Sequence, residues 1–206
     1  MVHENEGCAG MRVGILALQG DFAEHVAMLR RLSAEAVEVR LPEHLVGLSA
    51  LIIPGGESTT IGKLASAYDL MQPLRDFGRG HPIWGTCAGA IFLSKDARRE
   101  QPLLGLMDIT VARNAFGRQV DSFSLPLHVP VLDEPQRPFP GVFIRAPVIE
   151  TIGDTVEALA RLPAAAGEQE GLIVAARQGC WLATSFHPEL TQDTRFHRYF
   201  LHMVEE

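Results

Sequence analysis

The chain of 206 residues is 47% hydrophobic and 21% charged, which excludes a disordered or fibrous protein and suits one domain with a full core. A formal charge of -7 argues against non-specific binding to nucleic acid or to an anionic membrane surface. Three cysteines, Cys8, Cys87 and Cys180, are too few and too widely spaced for a disulfide framework or a zinc site, and no apolar run is long enough for a membrane span, so a cytoplasmic protein is expected.

Met1 to Gly10 is polar and without periodicity, and reads as a flexible extension ahead of a folded domain over residues 11–206. Arg12 to Leu18 is a continuous apolar run, the pattern of a strand buried on both faces of a parallel sheet. Gln19-Gly20 turns the chain, and Asp21 is placed to cap a helix in which Phe22, Val26, Leu29 and Leu32 share a face. Glu24-His25, in that helix, reads as a surface pair. Ala36 to Leu41 predicts a second strand, so the order strand, helix, strand implies a right-handed βαβ unit.

Leu48 to Ile53 predicts a third strand running into Pro54-Gly55-Gly56-Glu57-Ser58-Thr59-Thr60. This stretch fails as a phosphate loop: five residues separate Gly56 from Gly62 where four are needed, and Leu64 follows Lys63 in place of Ser or Thr. Two readings stay open. A Gly55 or Gly56 peptide N–H serves as an oxyanion donor beside that of Ala88, or the stretch is an ordinary tight turn capped by Ser58. Helices are expected over Ile61 to Tyr68 and Met71 to Phe77.

Ile83-Trp84-Gly85-Thr86-Cys87-Ala88-Gly89-Ala90-Ile91 is the stretch that carries chemistry. An apolar strand breaks at Gly-x-Cys-x-Gly before a segment able to start a helix, which is a nucleophile elbow with cysteine in the serine position. The flanking glycines remove Cβ atoms that would clash in so sharp a turn, and the following helix points free N–H groups at the sulfur. The bland alternative makes Cys87 a small buried hydrophobe. Far downstream, the strand Cys180 to Phe186 ends in His187-Pro188-Glu189, which supplies a base and a carboxylate to orient it.

Between these, Leu106 to Ala112, Ser122 to Val131, Gly141 to Arg145 and Val148 to Ile152 are strand-like, interrupted by prolines that suit edge strands and surface loops. Arg113 and Arg145 end two of these strands, and each is either a solvated surface residue or a clamp for a carboxylate. Val156 to Leu162 and Leu172 to Arg177 add strands, Ala164 to Gly167 an exposed loop, Gln178-Gly179 a hairpin turn, and Thr191 to Val204 a closing helix. The eight histidines show no metal-ligand spacing, so no metal is expected.

Gly85-Thr86-Cys87-Ala88-Gly89 with His187-Pro188-Glu189 resembles the class I glutamine amidotransferases. Leu18-Gln19-Gly20-Asp21-Phe22 with Glu24-His25, the Pro54 to Thr60 block and Arg113 to Gln119 narrow the resemblance to the glutaminase subunits of pyridoxal 5'-phosphate synthases. The resemblance implies a doubly wound, mostly parallel α/β sheet flanked by helices in a single domain. It further implies a Cys87-His187-Glu189 triad, an oxyanion hole from Gly56 and Ala88, and glutamine contacts from Gly56, Glu57, Ser58, Arg113, Ile144 and Arg145. No cofactor is implied. The implied partner is a synthase (lyase) subunit that takes the ammonia, in a large hetero-oligomer, with no part for nucleic acid or membrane. Other readings are a glutaminase for a different synthase, a DJ-1-like cysteine hydrolase or chaperone, and a non-catalytic subunit that keeps only the fold.

Overall fold

The apolar runs form strands, and the segments with helical spacing pack on both sides of them. In a computed structural model, residues 10–113 and 122–206 are described, so all but Gly10 of the expected extension, and the block after Arg113 through Gln119, lie outside the described residues. In chain order the elements are β1 (Arg12–Leu16), α1 (Phe22–Arg31), β2 (Glu35–Val39), β3 (Ala50–Ile53), α2 (Ser58–Ala67), α3 (Met71–Gly78), β4 (Ile83–Thr86), α4 (Ala88–Leu93) and β5 (Ser94–Asp96). There follow β6 (Met107–Ala112), β7 (Ser122–Leu127), β8 (Phe139–Ile144), β9 (Val148–Ile152), β10 (Glu157–Arg161), β11 (Ile173–Gln178), β12 (Trp181–Thr184) and α5 (Arg195–Glu205). A short 3-10 turn over Ala164–Gln169 stands where an exposed loop is expected, and another, Pro188–Leu190, follows β12.

The main sheet runs β2-β1-β3-β4-β12-β11-β9-β6-β5, with β10 paired to β11. Pairings from β2 through β12 are parallel, whereas β11 joins β12, β10 and β9, and β9 joins β6, in antiparallel fashion. From β1 the chain steps to β2 on one side and then to β3 on the other. That reversal opens a crevice at the carboxyl ends of the central strands, where open α/β sheets bind ligands. Of the four strands expected in the proline-rich stretch, β6 and β9 join the main sheet, and β7 and β8 form a separate two-stranded ribbon in which Pro126 sits opposite Pro140. Neither proline has an N–H to give a ladder, and a ribbon made only of edge strands tolerates both.

The central strands read as unbroken apolar runs because both their faces are buried. On one face Val13, Ile15, Ile52, Trp84 and Leu182 pack with Leu29 of α1 and Phe196 and Phe200 of α5. On the other Leu51, Ile53, Ile83 and Ala183 pack with Ile61 of α2, Leu74 of α3 and Phe92 of α4. Helix α4 lies against the sheet so closely that a Cβ on Gly89 would strike the Ile53 carbonyl oxygen, and one on Gly85 would strike the Gly89 backbone. Gly89→Ala is therefore expected to cost about 1–3 kcal/mol of stability. A thermal melt checks this; an unchanged Tm would show that α4 can move off β3 freely. No helix among the described residues is long and apolar enough to cross a membrane.

Candidate active site

At the end of β4 the chain turns through Cys87, with φ 46° and ψ −107°, and enters α4 at Ala88. A non-glycine residue in that region is strained, and such strain persists only where surrounding structure enforces it. Here the Cys87 N–H donates to the Thr184 carbonyl oxygen of β12 at 2.8 Å, and the glycines allow α4 its close approach. Cys87 is 7% exposed. Ala88, first in α4, carries an N–H with no acceptor inside the helix.

His187 leaves the parallel neighbour of β4, three residues past the end of β12. Its N–H donates to the Val142 carbonyl oxygen of β8 at 2.8 Å, and the turn from Pro188 brings Glu189 back so that His187 Nδ1 meets Glu189 Oε1 at 2.7 Å. Burial by itself pushes His187 down, but hydrogen bonds and charge from Cys87 and Glu189 outweigh it and hold the imidazole up at about 10. The Glu189 side chain is fully buried; that burial raises its pKa, against the pull of His187 in the other direction.

Two sequence expectations need correction here. Asp21 precedes α1 but makes no side-chain cap, and its Oδ2 lies 3.5 Å from His187 Nδ1. Glu24-His25 is not a surface pair: Glu24 is exposed, but His25 is 0% exposed, with Nε2 3.4 Å from Glu189 Oε2 and 3.3 Å from Thr86 Oγ1. The signal was present, since position 25 falls between Phe22 and Leu29 at helical spacing and so on the apolar face. Asp21, His187 and Glu189 each bring a ligand-type atom within 4.8 Å of the others. The His187 and Glu189 atoms already bond to each other, which fits proton handling better than a ligand set.

The glycine loop closes the opposite wall. The Gly55 carbonyl oxygen accepts from the Asp21 N–H at 3.2 Å, and the Glu57 N–H donates to Gln19 Oε1 at 2.6 Å. Gly56, at φ 147°, packs where a Cβ would strike the Gln19 amide. The turn is not capped by Ser58. Glu57 caps α2 by accepting from the Thr60 N–H at 2.9 Å, while Ser58 is buried and bonds Gln101. Glu57 also pairs with Arg113, whose Nη1 reaches Thr59 Oγ1 at 3.3 Å. Burial pushes the Glu57 carboxyl up, but the Thr60 N–H and the Arg113 guanidinium together bring it down to about 2.

These walls enclose a cavity of about 390 Å³. Of the residues proposed from sequence, Cys87, Ala88, His187, Gly56, Glu57, Arg113, Ile144 and Arg145 line it. Ser58 does not, and Glu189 stands behind His187. Gln19 and Asp21, taken from sequence as a turn and a cap, line it as well. Arg145 is exposed at the end of β8 with φ 42°, so its guanidinium is open to a ligand at the cavity mouth.

A sheet of this order, with its crevice over a cysteine elbow, is the fold of the class I glutamine amidotransferases. The chain matches the SNO glutamine amidotransferase family over residues 15–206 and belongs to it. It is 59% identical over 196 residues to the pyridoxal 5'-phosphate synthase subunit PdxT of Herpetosiphon aurantiacus, covering 93% of this chain and 99% of that one. To the PdxT subunit of a Roseiflexus species it is 58% identical over 197 residues, covering 94% and 100%. Among solved structures, a glutamine amidotransferase crystal structure superposes with a TM-score of 0.85 at 54% identity, covering 94% of this chain and 99% of the other. PurLQS of Thermotoga maritima shares the fold at a TM-score of 0.65 and 16% identity, over 93% and 98% of the two chains. Family membership sets aside the reading as a DJ-1-like hydrolase or chaperone.

Proposed function

We propose that this chain is the glutaminase subunit of a pyridoxal 5'-phosphate synthase, which hydrolyses glutamine to glutamate and ammonia and passes the ammonia to a synthase subunit. The observation that carries the reading is the meeting of Cys87 and His187 in one cavity, with Glu189 bonded to His187 from behind. Relatives at 59% and 58% identity that bear that subunit's name support the choice of synthase.

Glutamine sits with its side-chain amide over Cys87, its α-carboxylate facing Arg145 and its ammonium toward Glu57. The Cys87 thiolate adds to the amide carbon, and the N–H groups of Ala88 and Gly56 take the developing oxyanion. Imidazolium at His187 gives its proton to the leaving nitrogen, so the carbon–nitrogen bond breaks, ammonia departs and a glutamyl thioester remains. His187, now neutral, takes a proton from water as the water adds to the thioester. Glutamate and the thiolate are released, and His187 is again the cation. Glu189 holds the ring and supports its charge throughout.

The glycine loop is the point of control. With the Gly55 carbonyl oxygen held by Asp21 and the Glu57 N–H by Gln19, turning the Gly55-Gly56 peptide toward the oxyanion requires the first of these bonds to break. Docking of the synthase subunit, in a large cytoplasmic hetero-oligomer, supplies that turn. Glutamate release is expected to rise on the order of a hundredfold when the synthase subunit is added, the worth of one oxyanion donor. Equal rates alone and in complex would remove the switch. No release in either state would overturn the assignment to this synthase.

A further inference from the structure

Behind the triad carboxylate lies a buried pair of histidines that the mechanism above leaves without a task. Glu189 Oε1 accepts from His187, but Glu189 Oε2 has no hydrogen bond within ordinary limits, and His25 Nε2 stands 3.4 Å from it. The same nitrogen lies 3.3 Å from Thr86 Oγ1, and His25 Nδ1 lies 3.0 Å from His197 Nε2 of α5. Both histidines are 0% exposed, and the far nitrogen, His197 Nδ1, has no partner. Trp84 stands edge-on to both rings, at 5.7 Å and 4.9 Å between centroids, and its indole N–H is fixed on Thr184 Oγ1 at 3.1 Å.

Burial keeps both rings neutral, aided for His25 by His197 and His187 and for His197 by Arg31. A neutral imidazole donates from one nitrogen and accepts at the other, so two proton arrangements exist. In the first, His197 Nε2–H donates to His25 Nδ1, and His25 Nε2–H faces Glu189 Oε2 and Thr86 Oγ1. The partnerless His197 Nδ1 is then only a lone pair. In the second, His25 Nε2 turns a lone pair on an ionised carboxylate, and His197 buries an N–H with no acceptor. The first arrangement avoids both costs.

We propose that His25, its tautomer fixed by His197, is a positioning residue that holds Glu189 through Oε2 in the orientation that presents Oε1 to His187. The inference rests on reading Cys87, His187 and Glu189 as the glutaminase triad. Without the His25 donor, Glu189 is less firmly held as an anion beside Asp21, and His187 loses part of the charge that keeps it protonated.

Two measurements test it. In long-range 1H–15N spectra of the full chain labelled at histidine, His25 at pH 7 is expected as the Nε2–H tautomer with Nδ1 bare; the Nδ1–H tautomer would overturn the proposal. In the complex with the synthase subunit, His25→Phe is expected to lower kcat on the order of tenfold with KM nearly unchanged. The alkaline limb of its pH profile should move down by about one unit, a tenfold change in the proton equilibrium. His25→Gln, which keeps an N–H donor toward Glu189, should recover most of that loss. Equal losses in the two variants, or a loss confined to KM, would reduce His25 to packing. A wild-type complex that releases no glutamate sinks the glutaminase reading itself, whereas an active wild type with an unaltered His25→Phe profile sinks only this inference.

Discussion

Cys87→Ala is expected to lower glutamate release by the complex on the order of 10⁴-fold or more, with the fold retained. No second thiol or hydroxyl nucleophile lines the cavity among the described residues, so what remains would come from binding and oxyanion contacts alone. The same position stores strain. At φ 46° and ψ −107° both cysteine and alanine are held where only glycine is comfortable, at a cost of about 1–3 kcal/mol. Cys87→Gly is therefore expected to be as inactive as Cys87→Ala but to melt at a higher temperature. Thermal melts of the three proteins at one pH check this, and a glycine variant no more stable than the alanine variant would remove strain from the account of the elbow.

How far the sequence could be read depended on how local each feature is. The elbow and the His187-Pro188-Glu189 turn are each a few consecutive residues whose backbone demands leave a mark, in glycine, proline and the strand before them. Continuous apolar runs gave the central strands because both faces of that half of the sheet are covered, and prolines kept the β7–β8 ribbon out of it. Apart from the meeting of Cys87 and His187, what escaped were the contacts that only the crossing of distant elements creates. Asp21 looks like a cap because it stands before a helix, but the carboxyl ends of β1 and β12 share one edge of the sheet and bring it to His187 instead. Glu57 takes the cap of α2 because the helix begins at Ser58, and Arg113, from the end of β6, pairs with the same carboxylate that accepts from Thr60. His25 looks like half of a charged pair because Glu24 precedes it, whereas its partners at 189 and 197 become neighbours only when α1 and α5 pack on the same face. Functional chemistry tightens such errors: a polar residue on an apolar helix face is what local reasoning discounts and what a buried catalytic carboxylate requires.

Glu189→Gln should separate activity from stability. Loss of the carboxylate is expected to reduce kcat on the order of 10³- to 10⁴-fold, because an amide beside His187 Nδ1 either imposes the wrong tautomer or leaves the cation unsupported. In the parent protein His187 stays protonated up to about pH 10 because Cys87 and Glu189 together outweigh its burial. With one of the two gone, the residual activity should fail at a lower pH on the alkaline side. Stability follows a different sign. A histidine raised in the folded state adds stability that is complete below its ordinary value of about 6.5 and is lost as pH rises through about 10. Glu189 is also raised, by burial, so its ionised form costs stability once the pH exceeds its folded pKa. Near pH 7 the ion pair and this cost oppose each other, and the variant should melt close to the parent. Above about pH 10 His187 is neutral and the parent keeps a buried carboxylate with no cation beside it, so Glu189→Gln should become the more stable protein. Melting curves of both proteins at pH 7 and above pH 10 decide this. A parent protein that remained the more stable at the higher pH would mean that the neutral His25 N–H beside Oε2 is enough to hold the buried Glu189 carboxylate without a cation.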